Sequence, residues 1–343
     1  MIKDVLQKLT ERKDLTSEEA YRLIVAINND ELSEVQIAGF QVALLMKGPT
    51  LTEISAIAQA MRDHCVPIRP NINEECMDTC GTGGGLSTFN ISTSVAFVAA
   101  AAGIPIAKHG SRSISSLSGS ADVLEALNVE INLTPDAVEK LIEDIGMSFL
   151  YAPLYHPVMG KVLPPEKDLG IKTIFYTIIG PLINPARATK HVLGVYKPEL
   201  LDTVSQVALS LGYKHALFVH GLDGLDEISL LGKTRINELK NGKISTYEIA
   251  PEDFGMSRCT LDEISTGTPE ENANMIRNVF SGKDKGPRRQ AVVINAAGAL
   301  MIGDKASSFA EGIELANDII DSGAAERKLK ELITASNDLK VVK

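Results

Sequence analysis

The chain of 343 residues has no Trp, only 5% aromatic residues, and fewer basic than acidic side chains, so its net charge is −10. Few aromatic rings leave little surface on which nucleic-acid bases could stack. The acidic balance also disfavours non-specific electrostatic binding to nucleic acid. Nucleic acid is therefore an unexpected partner, and an anionic ligand would need a local basic site.

Cysteine is also scarce, and no long apolar run occurs. The four cysteines show neither the density nor the pattern of a disulfide framework. No histidine or second cysteine pair completes a zinc site around Cys76 and Cys80. No apolar run reaches about 18 residues, and residues 1–12 lack the apolar core of a signal peptide. We expect free thiols, no membrane span and a cytoplasmic location.

The first 65 or so residues are predicted to be helical. Thr16, Ser33 and Thr50 each precede a Glu or Gln by three residues, which is the spacing of a capping box. The periodic runs that follow have more apolar surface than one small bundle can bury. We therefore expect this bundle to pack on another domain or on a second copy of the chain.

From about residue 75, short apolar strands alternate with helices, which indicates an α/β sheet. Strands are expected at residues 75–80, 104–107, 147–151 and 216–219, and a hairpin turn at Asn241-Gly242. The domain prediction places residues 1–70, joined by part of 163–190, in a helical domain. Residues 71–162 and 191–343 then form a larger α/β domain with a mostly parallel central sheet.

The strongest local signal is the glycine-rich stretch at residues 81–85, between a predicted strand and a predicted helix. Asn90, Ser92 and Thr93 follow at the expected helix start. Such a turn lets backbone N–H groups converge on an anion at a positive helix end. The alternative is a tight turn without a ligand. A dinucleotide fingerprint would need glycine where Leu86 stands, and no P-loop Gly-Lys-Ser/Thr is present.

Two further loops are expected at the same rim of the sheet. Lys108, His109 and Arg112, with the hydroxyls around them, could surround a second phosphate, although a solvated basic loop has the same composition. Asp226-Glu227 follows another strand. Adjacent carboxylates with phosphate nearby suit Mg²⁺, although such a pair in a turn is also common on solvated surfaces.

Together these motifs resemble the anthranilate phosphoribosyltransferase family. The matching stretches are residues 81–84 with 90–93, 108–112, 118–127, 180–182 with 184–185, and 223–227. The resemblance covers nearly the whole chain. It implies a helical domain joined to an α/β domain of the nucleoside phosphorylase/phosphoribosyltransferase type, usually as a homodimer. It also implies transfer of phosphoribosyl from phosphoribosyl diphosphate to an aromatic amine, with Mg²⁺, in tryptophan synthesis.

The resemblance also assigns residues position by position. Those implied to bind phosphoribosyl diphosphate are Gly81, Gly84, Gly85, Thr88, Asn90, Ser92, Thr93, Lys108, Ser116 and Ser120. Those implied to contact the acceptor are Gly81, His109, Ser111, His156 and Glu166. Ser92, Asp226 and Glu227 are implied metal ligands, and Lys108 and Asn90 would stabilise the transition state.

Four positions depart from the family pattern. Gly85 stands where the family has Asp, in a shortened loop, and Ser111 replaces an acceptor-contacting Asn. Glu166 aligns with the arginine that faces the anthranilate carboxylate, and Tyr176 replaces an Asn. Three hypotheses stay open: an anthranilate enzyme with a relocated cation, a paralogue with another nitrogen acceptor, and an inactive binding protein of the same fold.

Overall fold

The computed structural model of the protein describes residues 1–113 and 117–340. Four helices open the chain: α1 (Ile2–Thr10), α2 (Ser17–Asn28), α3 (Glu34–Lys47) and α4 (Leu51–Asp63). The three predicted capping boxes are confirmed. Thr16, Ser33 and Thr50 each accept an N–H from the third helical residue, whose side chain bonds back to the cap.

A central sheet follows the helical bundle. Its strands are β1 (Met77–Asp78), β2 (Ile106–Gly110), β3 (Met147–Tyr151), β4 (Lys190–Gly194), β5 (His215–Gly221), β6 (Thr234–Lys240) and β7 (Lys243–Ile249). In the described residues their order is β3-β2-β1-β4-β5-β6-β7. The first five are parallel, and β6 and β7 extend the edge as an antiparallel hairpin. The predicted fold class is confirmed.

Helices cover both faces of the sheet. They are α5 (Ile91–Ala101), α6 (Ser120–Ala126), α7 (Pro135–Ile145), α8 (Ala152–Tyr155), α9 (Pro157–Leu169), α10 (Gly180–Leu182), α11 (Leu201–Ser210), α12 (Pro269–Phe280), α13 (Pro287–Ile302), α14 (Phe309–Asp321) and α15 (Ala324–Asp338). A π-helical turn spans Phe175–Ile179, and 3₁₀ turns span Pro198–Leu200, Pro251–Phe254 and Asp262–Ile264.

Two apolar cores hold these layers together. One lies between the sheet and the helices α5, α7 and α12 to α15. The other begins in the N-terminal bundle and continues through α9 and the π-helical turn to Leu193 and Phe218 on the sheet. Phe40 of α3 meets Phe175 edge to face, with ring centroids 6.2 Å apart. The division of the chain into domains drawn from the sequence stays a prediction.

Three predicted strands end at the wrong residue. The strand predicted to end at Cys80 ends at Asp78. The strand predicted to end at Ala107 runs to Gly110, and the strand predicted to end at Val219 runs to Gly221. Lys108, His109 and His220 therefore lie inside strands and are buried, whereas the sequence pattern placed them in loops. Polar residues usually interrupt an apolar strand pattern. These three instead find partners within the protein: Thr79 for Lys108, His156 for His109 and the Val195 carbonyl for His220.

Candidate active site

The glycine-rich turn leaves β1 and is anchored to the end of β4. The Thr82 N–H donates to the Gly194 carbonyl over 2.9 Å, and Thr82 Oγ1 accepts the Tyr196 N–H over 3.0 Å. Gly84 has φ +91°, a conformation that side chains disfavour. A Cβ on Gly85 would lie 2.6 Å from Asp226 Oδ1. The turn is therefore packed directly against the loop that holds the acidic pair.

The N-terminus of α5 lies beside this turn. Asn90 precedes the helix, but its side chain makes no cap hydrogen bond. Ser92 and Thr93 lie in the first turn, and the buried Thr93 Oγ1 has no partner in the described part of the chain. Thr88 pairs with Ser265 in an isolated β-bridge on the approach to the helix. A helix end without a side-chain cap keeps its N–H groups available for an anion.

Asp78, at the end of β1, organises the residues below the turn. Its Oδ1 accepts N–H groups from Thr79, Cys80 and His109 at 2.7, 3.0 and 3.1 Å. Its Oδ2 accepts from Asn184 Nδ2 at 2.7 Å, and the whole carboxylate is buried. The sequence patterns assigned no role to Asp78 or Asn184, although Asn184 lies within a stretch that carries the family resemblance.

Lys108 projects from β2 toward the same region. Its side chain is 1% exposed, and Nζ donates to Thr79 Oγ1 over 3.1 Å. Thr79 Oγ1 in turn donates to the carbonyl of Ser92. The cation is thus linked through one hydroxyl to the first turn of α5, where it can face a bound anion.

The acidic pair follows β5. Burial and the charge of Asp226 raise the pKa of Glu227 to about 8, while Lys108 and the Ser92 backbone N–H act in the opposite direction. Burial also raises the pKa of Asp226. Two carboxylates in such an environment favour a bound cation. Hence the half-buried pair is held near Lys108 and the Ser92 backbone of α5, while its role as a metal site stays a prediction.

His109 and His156 form a second pair next to Asp78. Their Nε2 atoms are 3.0 Å apart, so one imidazole donates and the other accepts, and both rings are buried. Burial lowers the pKa of His109 to about 4, and burial together with His109 lowers the pKa of His156. Both rings are therefore neutral at pH 7.

The loop after β2 is less tightly integrated. Arg112 is bound to Asp122 and Glu125, with Nη2 2.9 Å from Glu125 Oε1, so its charge is already compensated. Ser111 is exposed and its hydroxyl donates to the Arg112 carbonyl. Ser120 Oγ donates to the Ser111 carbonyl over 3.4 Å. Ser116 lies outside the described residues.

Glu166 lies apart from these groups, in α9 of the second core. It is 3% exposed; its Oε1 accepts hydrogen bonds from Thr173 Oγ1 and, over 3.2 Å, from Gln41 Nε2. Its Oε2 and Gln41 Oε1 have no partner in the described residues. Burial raises the pKa of Glu166. Glu166 therefore does not face solvent, while its role in acceptor binding stays a prediction.

The fold and this site define a glycosyl transferase. Residues 3–65 match the sequence model described as the glycosyl transferase family, helical bundle domain, and residues 73–326 match the glycosyl transferase family, a/b domain. The chain is 46% identical to the anthranilate phosphoribosyltransferase of Acetivibrio thermocellus, with 98% of this chain and 97% of the relative covered. It is 47% identical to that of Desulfosudis oleivorans, with 98% and 100% covered.

Solved structures agree. The anthranilate phosphoribosyltransferase of Thermus thermophilus superposes with a TM-score of 0.91 at 39% identity, covering 97% of this chain and 99% of that one. The Saccharomyces cerevisiae enzyme, in complex with phosphoribosyl diphosphate and Mg, gives 0.89 at 30% identity, with 98% of each chain covered. The chain belongs to the anthranilate phosphoribosyltransferase family, which confirms the resemblance found in the sequence.

Proposed function

We propose that the protein transfers the 5-phosphoribosyl group of phosphoribosyl diphosphate to the amine of anthranilate and releases diphosphate, a step of tryptophan synthesis. The observation that carries this proposal is the convergence of the uncapped α5 N-terminus, the buried Lys108 and the pair Asp226-Glu227. Relatives at about half identity support it, as does a Saccharomyces cerevisiae relative in complex with 4-fluoroanthranilate, at 28% identity.

The diphosphate side is built from the glycine-rich turn and α5. In this proposal, the backbone N–H groups and hydroxyls at Ser92 and Thr93 bind the diphosphate, and Asn90 and Lys108 stabilise the charge that develops on it. The other proposed contacts come from glycines of the turn and from hydroxyls nearby: Gly81, Gly84, Gly85, Thr88, Ser116 and Ser120.

The acidic pair fits Mg²⁺. The described residues contain no cluster of three or more His, Cys, Asp or Glu side chains placed to hold a metal. Asp226, Glu227 and Ser92 would therefore share the ion with oxygen atoms of the substrate, which is how Mg²⁺ is commonly bound. When bound, the ion would neutralise charge on the departing diphosphate.

The reaction needs few proton transfers. The amine lone pair forms a bond to C1 of the ribose while the bond from C1 to diphosphate breaks, and the new ammonium then loses a proton. Positive charge develops on the ribose during this step, so anion stabilisation and exclusion of water matter more than a strong base. The neutral His109–His156 pair, Gly81 and Ser111 are the proposed acceptor contacts.

A second candidate is the same transfer to a different aromatic nitrogen nucleophile. The observation in its favour is Glu166, whose carboxyl stands where the resemblance implies an arginine. It offers no positive charge to an acceptor carboxylate. Under the main proposal, another cation near the acceptor must serve that carboxylate, and the exposed Lys167 is the nearest in sequence.

Diphosphate release in a coupled assay tests the main proposal. Wild-type protein, phosphoribosyl diphosphate, Mg²⁺ and anthranilate should release diphosphate, and D226N/E227Q should lose this turnover while remaining folded. The matched control is D262N/E263Q, which changes two consecutive acidic residues in a separate, exposed turn. This variant should retain activity. Release by D226N/E227Q with an unchanged Mg²⁺ response would refute the metal assignment.

We also propose that the protein is a homodimer formed through its N-terminal helices. Val35 and Met46 of α3 are 81% and 71% exposed, and they line an apolar groove with Leu9, Val42 and Leu169. In the proposed dimer, this groove packs against the same groove of a second copy of the chain.

No helix in the described residues is long and apolar enough to cross a membrane. All four cysteines are free thiols, which supports the proposed cytoplasmic location.

A further inference from the structure

Asn272 is a buried amide of α12 that lies outside every motif found in the sequence. Its Nδ2 donates to Asn90 Oδ1 over 2.8 Å and to Thr266 Oγ1 over 3.0 Å. Its Oδ1 accepts the Gly267 backbone N–H over 2.7 Å, and the side chain is 0% exposed. A buried amide with its groups paired in this way is strongly oriented.

The direction of these bonds is fixed by the backbone. The Gly267 N–H can only donate, so the oxygen of Asn272 must face it and the nitrogen must face Asn90. Asn90 must then present its own oxygen to Asn272. That oxygen also accepts from Ser118 Oγ over 3.3 Å, while Asn90 Nδ2 donates to the Ser118 carbonyl over 3.3 Å.

Asn90 occupies the position before α5 where an asparagine oxygen normally accepts an N–H from the first helical turn. Here it makes no such bond. Asn272 and Ser118 hold the oxygen elsewhere, so the Asn90 side chain does not cap the first-turn N–H groups at Ser92 and Thr93. First-turn N–H groups that their cap residue leaves unbonded can bind an anion.

The segment around Asn272 is itself tied to the chain that leads into α5. The Phe89 N–H donates to the Ile264 carbonyl over 3.0 Å, and the Thr266 N–H donates to the Ser87 carbonyl over 3.3 Å. These backbone bonds hold Thr266 and Asn272 in a fixed position relative to Asn90. The contact between Asn272 and Asn90 is therefore part of a braced unit.

We propose that Asn272 is a positioning residue for diphosphate binding: it holds the Asn90 oxygen away from the N-terminus of α5 and keeps that end open to the anion. This inference rests on the proposed function. It assigns a role in the reaction to an α12 residue that does not itself touch substrate.

The test is Asn272→Asp, which keeps the size of the side chain. The carboxylate still accepts from Gly267 but cannot donate to Asn90, so the Asn90 amide turns and releases its oxygen toward the α5 N–H groups. The matched control is Asn237→Asp on β6. Asn237 is equally buried and bonded, to Asp202, Ser205 and Thr246, on the antiparallel side of the sheet.

Calorimetric titration with phosphoribosyl diphosphate and Mg²⁺ gives the readout. We expect N272D to bind phosphoribosyl diphosphate at least tenfold more weakly than wild type does. The affinity of N237D for the same ligand should change by less than threefold. The KM of N272D for the acceptor should stay unchanged. Failure of the wild type to bind would refute the proposed function together with this inference. Wild-type-like binding by N272D would refute the inference alone.

Circular dichroism establishes whether N272D folds. If it does not, Asn272→Ser replaces it, because a serine hydroxyl is too short to reach Asn90 and adds no charge. This variant should also bind phosphoribosyl diphosphate more weakly than wild type while its acceptor KM stays unchanged. Equal weakening for both substrates would indicate a general loss of structure and would contradict a positioning role.

Discussion

Ser92 lies in the first turn of α5, next to the proposed diphosphate. Replacing it by alanine removes a hydroxyl that would bond to a charged group, an interaction worth about 1.5–3 kcal/mol. We expect S92A to weaken phosphoribosyl diphosphate binding about tenfold or more and to leave acceptor binding unchanged. Calorimetry measures both. S210A, at the end of α11, should match wild type, and an unchanged affinity in S92A would remove Ser92 from the site.

Glu166 makes stability depend on pH in a direction opposite to that of most carboxylates. Burial raises its pKa in the folded protein, so the fold favours the protonated form. The resulting contribution of Glu166 to the free energy of unfolding is fully present below the pKa that this residue has in the unfolded chain. It is lost as pH rises through the pKa that Glu166 has in the folded protein. Glu166 Oε2 and Gln41 Oε1 are both buried oxygens without a hydrogen-bond partner in the described residues. A proton on Oε2 would turn one of these two acceptors into a donor.

The expected result is that Glu166→Gln, which mimics the protonated acid, raises the urea midpoint of unfolding more at pH 8 than at pH 5. E270Q at an exposed position should show no such difference. Equal effects of E166Q at both pH values would mean that Glu166 is ionised throughout. The same burial implies that Glu166→Arg would leave a cation unpaired in this core.

Local sequence patterns point to candidate residues within compact motifs and do not show contacts between distant parts of the chain. The glycine turn, Ser92 and the pair Asp226-Glu227 carry their signal in a few neighbouring positions. Asp78 and Asn184 meet across 106 positions of the chain, and Asn90 and Asn272 across 182. No local pattern shows such a contact, because isolated Asn and Asp residues occur in every loop and helix end.

The contact between β2 and the start of α9 depends on two neutral histidines. The pKa of His109 is lowered to about 4 and that of His156 is also lowered. A histidine in the unfolded chain has a pKa near 6.5 and binds more protons below that pH than these two buried rings do. The stability that the neutral pair contributes is therefore fully present above about pH 6.5 and is lost as pH falls toward 4. Each histidine can contribute up to about 1.4 kcal/mol per pH unit in this window.

His156→Gln removes one of the two titrating groups while retaining a side chain that can bond to His109. We expect the urea midpoint of this variant to fall less steeply between pH 6.5 and 4.5 than that of wild type. His64→Gln is the control, at a partly exposed position at the end of α4. An identical slope in H156Q and wild type would show that the pair does not control acid stability.

Helices were predicted more accurately than strand ends. Capping boxes mark a helix start with two side chains in fixed spacing, and all three lie where the sequence placed them. β2 continues through Lys108 and His109, and β5 through His220. Their polar side chains pair with groups from distant elements. Strand length therefore depends on tertiary partners that periodicity does not reveal.

Association of two chains through α3 is expected to be sensitive to charge in the apolar groove. Met46→Glu places a carboxylate in this surface and should convert the proposed dimer into a monomer in sedimentation velocity at micromolar concentration. Leu209→Glu, at a partly exposed leucine of α11, should sediment like wild type. A wild-type protein that sediments only as a monomer would contradict the proposal.

We propose above that this chain uses anthranilate even though Glu166 stands where the family resemblance implies an arginine. Anthranilate fluorescence, followed with the full-length protein, phosphoribosyl diphosphate and Mg²⁺, tests it most directly. We predict a steady loss of fluorescence that stops when either phosphoribosyl diphosphate or Mg²⁺ is left out. Constant fluorescence in the complete mixture, together with diphosphate release when a different aromatic amine is supplied, would contradict the claim and identify a paralogue with another acceptor.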